Sequence, residues 1–138
     1  MAKPCAVLVI WWGQRVLILL RAEGSPSPNT FCFPGGHSDN GELSKNTAFR
    51  ETLEETGLLT FPDRYKHLGT ALLKHADIDV FQYKLPEEAH DFVRLSYEHS
   101  GYLWVDPQDA WVHELPLTGR VIRTVLASLR DGTTPSFA

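Results

Sequence analysis

The chain has 138 residues, 13 Lys plus Arg against 17 Asp plus Glu, and a formal net charge of −4. That length suits one compact domain that buries roughly 70% of the surface its unfolded chain exposes, and 43% hydrophobic with 22% charged residues excludes disorder as the default. The mildly acidic balance argues against a general nucleic-acid or anionic-membrane surface, since both need clustered Lys and Arg.

The first predicted elements are two β-rich runs, Cys5 to Trp12 and Arg15 to Ala22, joined by Gly13-Gln14 as a two-residue hairpin with Gly first. Both runs are apolar at nearly every position, so both faces of these strands should be covered. Trp11 and Trp12 must face opposite sides, so at most one of them points to a given core. A Ser/Pro/Asn loop, Ser25 to Asn29, leads to the short apolar stretch Phe31 to Phe33, which Pro34-Gly35-Gly36 ends. The first helix is predicted over Leu43 to Thr56, with Ser44 as its N-cap and Gly57 as its left-handed C-terminal residue. Leu43, Ala48, Phe49 and Leu53 would form its apolar stripe, with Arg50, Glu51, Glu54 and Glu55 on the other side.

Two further strands follow, His67 to Leu73 and Ile78 to Leu85. In the latter, either Phe81 and Tyr83 or Val80 and Gln82 face the pocket side of the sheet. A long loop, Pro86 to Ser100, precedes a strand over Tyr102 to Val105 and a short helix over Gln108 to Glu114. The last helix, Thr118 to Arg130, is capped by Thr118 and presents Val121, Ile122, Val125, Leu126 and Leu129 to the core. Strands with helices in the middle and at the end imply an α/β chain, a mixed β-sheet flanked by helices in α/β/α layers, over a single domain from residue 1 to 138.

Cys5 and Cys32 lack CxxC spacing, which speaks against a zinc site or a disulfide scaffold and for buried free thiols in a reducing compartment. The longest apolar run near the start is too short to span a bilayer, so the chain reads as soluble and cytoplasmic with no membrane partner.

One segment carries chemistry. Glu51, Glu54 and Glu55 stand at i, i+3 and i+4, so three carboxylates project from one patch of helix. Like charges at that spacing cost about 0.2–0.5 kcal/mol per pair, and no Lys interleaves them. Clustered hard oxygens are what Mg²⁺ or Mn²⁺ accepts. Arg50 can pair with a carboxylate of the cluster and hold it in place. Gly35 and Gly36, lacking Cβ, let the backbone turn sharply and bring a carbonyl close to the same patch. Between Gly36 and Leu58 lie five acidic and two basic side chains, so three of the four excess negative charges fall in this one segment.

The same residues resemble the box of the Nudix hydrolases. Gly36 is followed at the family's intervals by Glu42, Arg50-Glu51, Glu54-Glu55 and Gly57-Leu58, and only Thr52 departs, standing where the family has an aliphatic residue. Phe33-Pro-Gly-Gly-His37 before the box and Tyr102-Leu-Trp-Val-Asp-Pro107 near the end extend the likeness to essentially the whole chain. The resemblance implies a Nudix α/β/α sandwich. It implies Glu51, Glu54, Glu55 and the Gly35 carbonyl as ligands of Mg²⁺ or Mn²⁺, with Glu42 as an additional or water-mediated ligand and Arg50 as the residue that orients the carboxylates. The reaction would be attack of water on a diphosphate linked to another moiety. Either Glu51 or a late-loop glutamate serves as base, and Glu98 is the candidate for the latter, its alternative being a plain surface residue.

His37 is read as either near a substrate phosphate or in an exposed turn, and Arg15 and Arg21 as within reach of phosphates or simply solvated. His67, His75, His90, His99 and His113 show no metal-ligand spacing. The Pro and Tyr markers that follow the box in ADP-ribose and diadenosine polyphosphate enzymes are absent from Leu73 to Ala76. By elimination the resemblance points to a MutT-type nucleoside triphosphate pyrophosphohydrolase, a small nucleotide being its partner and a homodimer remaining open. The alternatives are another nucleoside diphosphate conjugate (a dinucleotide, a nucleotide sugar or an RNA cap) and a non-catalytic nucleotide-sensing domain.

Overall fold

The computed structural model describes residues 2–88 and 92–138. Within the expected loop from Pro86 to Ser100, residues 89–91, and with them His90, lie outside the described residues. Among the described residues seven strands form one mixed sheet: β1 (Lys3–Trp12), β2 (Arg15–Arg21), β3 (Phe31–Cys32), β4 (Gly35–His37), β5 (Lys66–Leu72), β6 (Ala76–Lys84) and β7 (His99–Val105). Two helices, α1 (Ser44–Thr56) and α2 (Arg120–Asp131), cover it, and short 3₁₀ turns occupy Pro62–Arg64 and Ala110–Glu114.

The central pair is β1 and β6, parallel in unbroken register from Lys3↔Ala76 to Trp11↔Lys84, with β5 antiparallel on the far side of β6. On its other edge β1 meets β2 only beside the hairpin, at Trp11↔Val16 and Trp12↔Arg15. Beyond that point the two strands diverge. The fork is filled by β3, which pairs Leu19 and Leu20 of β2, and by β4, which pairs Cys5 to Val7 of β1. The outer edge of β2 carries β7. Strand β4 was not expected, because Pro34-Gly35-Gly36 reads as a terminator. The chain instead breaks at Phe33-Pro34, where the Pro34 carbonyl accepts the Leu8 N–H at 2.9 Å, and then pairs again.

Side-chain alternation splits the core in two. Val9, Val16, Ile18 and Val80 face α2 and pack on Ile122, Val125 and Leu126, while Ala6, Leu8, Ile10, Leu17, Leu19, Phe81 and Tyr83 face α1 and pack on Ala48 and Leu58. Burial of each large aliphatic chain stabilises by about 1.5–3 kcal/mol, which explains the near-continuous apolar runs of β1 and β2. Trp11 packs toward α2, and Trp12 meets Trp104 edge-on with ring centroids 5.5 Å apart. The layering is the expected α/β/α sandwich.

Helix α1 departs from expectation in how it is rotated. Leu43 is 70% exposed and Leu53 is also exposed, whereas the buried face consists of Thr47, Ala48, Thr52, Glu55 and Thr56. A polar face can be buried because its groups are hydrogen-bonded: Thr47 Oγ1 donates to Glu42, and Thr56 Oγ1 donates to the Thr52 carbonyl at 2.7 Å. Thr52 Oγ1 alone among these has no partner. Leu43, at φ −71° and ψ 143°, is the N-cap in place of Ser44, whose hydroxyl bonds Asp79. At α2 the cap position is Gly119 and not Thr118, because the Thr118 hydroxyl donates to the Phe31 carbonyl at 2.8 Å.

Candidate active site

The acidic cluster is built where α1 crosses β4, and two glycines set the distance. A Cβ on Gly36 would sit 2.6 Å from the carboxyl carbon of Glu51, and one on Gly35 would sit 2.2 Å from the Ala6 carbonyl oxygen at a φ of 157°. Glycine at both positions lets the helix carboxylates lie directly on the strand backbone. Gly36→Ala is therefore expected to displace Glu51 and cut turnover at least about tenfold, with a smaller loss in melting temperature than Gly35→Ala. Steady-state kinetics and thermal melts on the two variants check this.

Arg50 is the hub of the cluster. Its Nε and Nη2 donate to the two Glu42 oxygens, each at 2.9 Å, and its Nη1 donates to Glu51 at 2.9 Å and to Glu54 at 3.5 Å. Nη2 also donates to the His37 carbonyl at 3.1 Å, and Asp39 lies 3.5 Å from Nε. Glu42 receives two further donors, the Thr47 hydroxyl at 2.8 Å and the Asp39 N–H at 3.0 Å. These hydrogen bonds, Arg50's above all, hold its carboxyl down at about 2, and the same contacts raise the Arg50 guanidinium. Glu42 is thus committed to Arg50, as a two-pronged clamp of the kind that fixes guanidinium geometry.

Glu55 behaves differently. It was expected on the outer side of α1, yet it is only 4% exposed, and its Oε1 accepts the Gly35 N–H at 2.8 Å. Burial pushes its carboxyl up to about 8, against the lowering effect of that hydrogen bond, and Glu51 and Glu98 push in the same direction as burial. Burial also raises Glu51 despite Arg50. Two desolvated carboxylates with a third, Glu54, open to solvent form a hard-oxygen donor set that a divalent cation would relieve of its repulsion. Among the described residues no three acidic, His or Cys side chains yet converge on one point. Glu51 and Glu54 lean on Arg50, so a cation would compete with the guanidinium for them.

Glu98 is brought to this cluster by the backbone of the loop preceding β7. The Arg94 N–H bonds the Thr56 carbonyl at 2.7 Å and the Ser96 N–H bonds the Glu55 carbonyl at 3.3 Å, which also satisfies the free carbonyls at the end of α1. The Glu98 carbonyl accepts from Ala22 N–H and Ser25 Oγ. Its exposed carboxylate is close enough for its charge to raise both Glu51 and Glu55.

A cavity of about 300 Å³ opens beside Glu55, Gly35 and Gly36, in the fork between β1 and β2 and under the start of α2. Arg21, Cys32 and His99 line it as well. Arg21 and His99 are cross-strand partners of β2 and β7, so the strand-end arginine and a histidine with no metal-ligand spacing meet at the same wall. Nothing in linear spacing marked His99; its place next to Glu98 at the start of a strand was the available signal. His37 is not among the residues lining this cavity, although its Nδ1 pairs at 3.0 Å with the Sγ of Cys5, which does line it. Arg15 lies at the hairpin, beside a separate surface hollow with Trp12 and Gln14.

A model of the NUDIX domain matches residues 2–127. A 50-residue stretch is 42% identical to Nudix hydrolase 3 of Caenorhabditis elegans, covering 36% of this chain and 21% of that protein. An 82-residue stretch is 32% identical to the asymmetrical bis(5′-nucleosyl)-tetraphosphatase of Mus musculus, covering 56% of each. The matched region thus spans from a fifth to just over half the length of these curated relatives. A NUDIX hydrolase structure from Nitrosomonas europaea superposes with a TM-score of 0.77 at 22% identity, covering 99% of this chain and 76% of that one. With the family model running across β1 to α2, and with a fold to match, the chain belongs to the Nudix hydrolase family.

Proposed function

We propose that the chain catalyses divalent-metal-dependent hydrolysis of a pyrophosphate linkage in a nucleoside diphosphate derivative, a nucleoside triphosphate being the leading substrate. The observation that carries this reading is the carboxylate set on α1, whose Glu51 and Glu54 are held by Arg50 and whose Glu55 lines a cavity of about 300 Å³. That volume is at the lower end of ligand pockets and suits one nucleoside moiety. Nudix hydrolases generally use divalent metal ions. In this chain Glu51, Glu54 and Glu55 with the Gly35 carbonyl would hold Mg²⁺ or Mn²⁺, and when bound such an ion neutralises phosphate charge and acidifies a bound water.

The chain's own residues supply the rest. Arg50 fixes the carboxylates from below, and Glu42 is the anchor that fixes Arg50. Glu98 is the base we favour, taking the proton of the attacking water at its carboxylate, because Glu51 is already engaged by Arg50 at 2.9 Å. Glu98→Gln is expected to reduce kcat by roughly 10²–10⁴-fold while metal affinity, read by titration calorimetry, stays at the wild-type value. A variant that loses metal affinity in proportion to kcat assigns Glu98 to the metal instead.

The overall reading is tested on nucleoside triphosphates, ADP-ribose, dinucleoside polyphosphates and nucleotide sugars with Mg²⁺ or Mn²⁺, products being identified. No cleavage of any phosphoanhydride would overturn it. A second reading, a dinucleoside polyphosphate as the main substrate, is favoured by the 32% identity to the mouse tetraphosphatase. It predicts that such a substrate outpaces every triphosphate in kcat/KM.

A further inference from the structure

The cavity beside Glu55 is polar on one side and apolar on the other, and strand order decides which is which. On the β2 side stands Arg21. The start of α2, with Arg120, is fastened to that same side by Thr118, whose N–H and hydroxyl both donate to the Phe31 carbonyl of β3, at 2.9 and 2.8 Å. Glu55 enters between the two sides, on the Gly35 N–H. On the β1 side the wall is Val7 of β1, Ile78 of β6 and Leu73 from the turn between β5 and β6. Val121 of α2 lines the cavity too and packs with Val7 and Ile78 against one core cluster.

Val7, Leu73, Ile78 and Val121 are each half-buried, so apolar surface is left open on this wall. Among the described residues no charged side chain lines the β1 side, and its one polar side chain, Cys5, already has its Sγ 3.0 Å from His37 Nδ1. A nucleobase set against this wall would lose water from its ring-edge donors and acceptors with no side chain to replace it, which is a net cost. A hydrocarbon group meets no such cost, and each methylene it buries gains roughly fourfold in affinity. The wall is also continuous with the carboxylate site, because Glu55, Gly35 and Gly36 line the same cavity. One molecule therefore fits both sides, a diphosphate that carries an apolar group.

From this we infer that the β1 side of the cavity is a subsite for the hydrocarbon group of an alkyl or isoprenoid diphosphate, and that such diphosphates are further substrates of the carboxylate centre. The hydrocarbon lies against Val7, Leu73, Ile78 and Val121, and the diphosphate lies toward Glu55 and Arg21. In the reaction the oxygen of water bonds to the terminal phosphorus while one of its protons passes to the base. The bridging P–O bond breaks, and its electron pair stays on the departing alkyl monophosphate. Orthophosphate is the other product, the C–O bond to the alcohol is untouched, and nothing is oxidised or reduced. The substrate assignment rests on the proposed phosphoanhydride cleavage; the subsite does not require turnover.

Two measurements on the whole chain with Mg²⁺ test it. Calorimetric binding of methyl, dimethylallyl and geranyl monophosphate is expected to tighten along the series, by at least roughly tenfold from methyl to dimethylallyl. Steady-state kcat/KM for release of orthophosphate from the three corresponding diphosphates should rise in the same order, chiefly through KM. Ile78→Thr and Val121→Thr each place a hydroxyl on the wall and should shrink the dimethylallyl-to-methyl ratio at least about threefold. A folding defect lowers both substrates alike and leaves that ratio where it was. Binding that is flat or weakens with chain length overturns the subsite, and so does a rise that both variants leave intact. Cleavage of nucleotides without cleavage of the isoprenoid diphosphates overturns the substrate assignment and leaves the proposed function standing. Binding that rises along the series without cleavage of any phosphoanhydride overturns the proposed reaction and leaves the subsite standing.

Discussion

Glu54→Gln is expected to lower metal-dependent phosphoanhydride turnover by roughly 10²–10⁴-fold while leaving the fold unchanged. Of the three carboxylates on α1, Glu54 gives the cleanest comparison. Its side chain is 57% exposed and its only close partner among the described residues is Arg50, at 3.5 Å, so its loss should move stability by no more than about 0.5 kcal/mol. Glu51 cannot be changed so quietly, because its carboxylate packs over Gly36 and takes a 2.9 Å bond from Arg50. Gln keeps the size and one oxygen of Glu54 but not the charge that a divalent cation requires. Far-ultraviolet circular dichroism and melting temperature should therefore match wild type, while metal titration shows weaker binding. Full turnover in Glu54→Gln would remove the metal-centred reading, since no packing defect is available to confuse the result.

Helical periodicity puts Glu51, Glu54 and Glu55 on one stretch of α1, and α1 forms where predicted, but among the described residues the three carboxylates do not converge on one point and Glu55 turns inward to the Gly35 N–H. The rotation of α1 was not legible. The periodicity argument assigns the buried face to Leu43, Ala48, Phe49 and Leu53; Ala48 is buried as expected, whereas Leu43 and Leu53 are exposed, because beside Glu55 the surface facing α1 is the Gly35–Gly36 backbone, which offers an N–H and no side chain to pack on. Polar threonines and a carboxyl are then buried by hydrogen bonding, a tertiary effect with no local signature. Gly57 ends α1 in the left-handed conformation as expected, but the two N-cap assignments failed for a related reason. Ser44 and Thr118 have the right chemistry, but Asp79 and the Phe31 carbonyl, distant in sequence, claim their hydroxyls. The β1/β2 hairpin and the core face of α2 depend on local turn chemistry and spacing, and both appear as expected. The cavity needed the divergence of β1 and β2, which only the register of β3 and β4 reveals.

Glu55→Gln should separate stability from function in a way that pH exposes. In the unfolded chain this carboxyl titrates near 4.5, and in the folded, metal-free protein burial carries it up to about 8. The folded state therefore holds its proton more tightly. Its contribution to stability is fully present below pH 4.5, and it is lost as pH rises through about 8. Metal-free wild-type protein is expected to lose melting temperature progressively from pH 5 to pH 8.5. Gln at this position has no proton to lose, and its amide oxygen can still accept the Gly35 N–H. The variant should therefore run flat in pH from this group and, at pH 8.5 with chelator present, exceed wild type by an amount on the order of a few kcal/mol. Saturating Mg²⁺ should shrink the gap, because a cation at the cluster replaces the proton and stabilises only the wild type. Turnover in the same variant should fall as it does in Glu54→Gln, a gain in stability coupled to a loss of activity that is typical of buried functional charges. Parallel pH profiles for the two proteins in chelator would show that Glu55 is ionised without penalty, and that the glycine strand beneath α1 does not desolvate it.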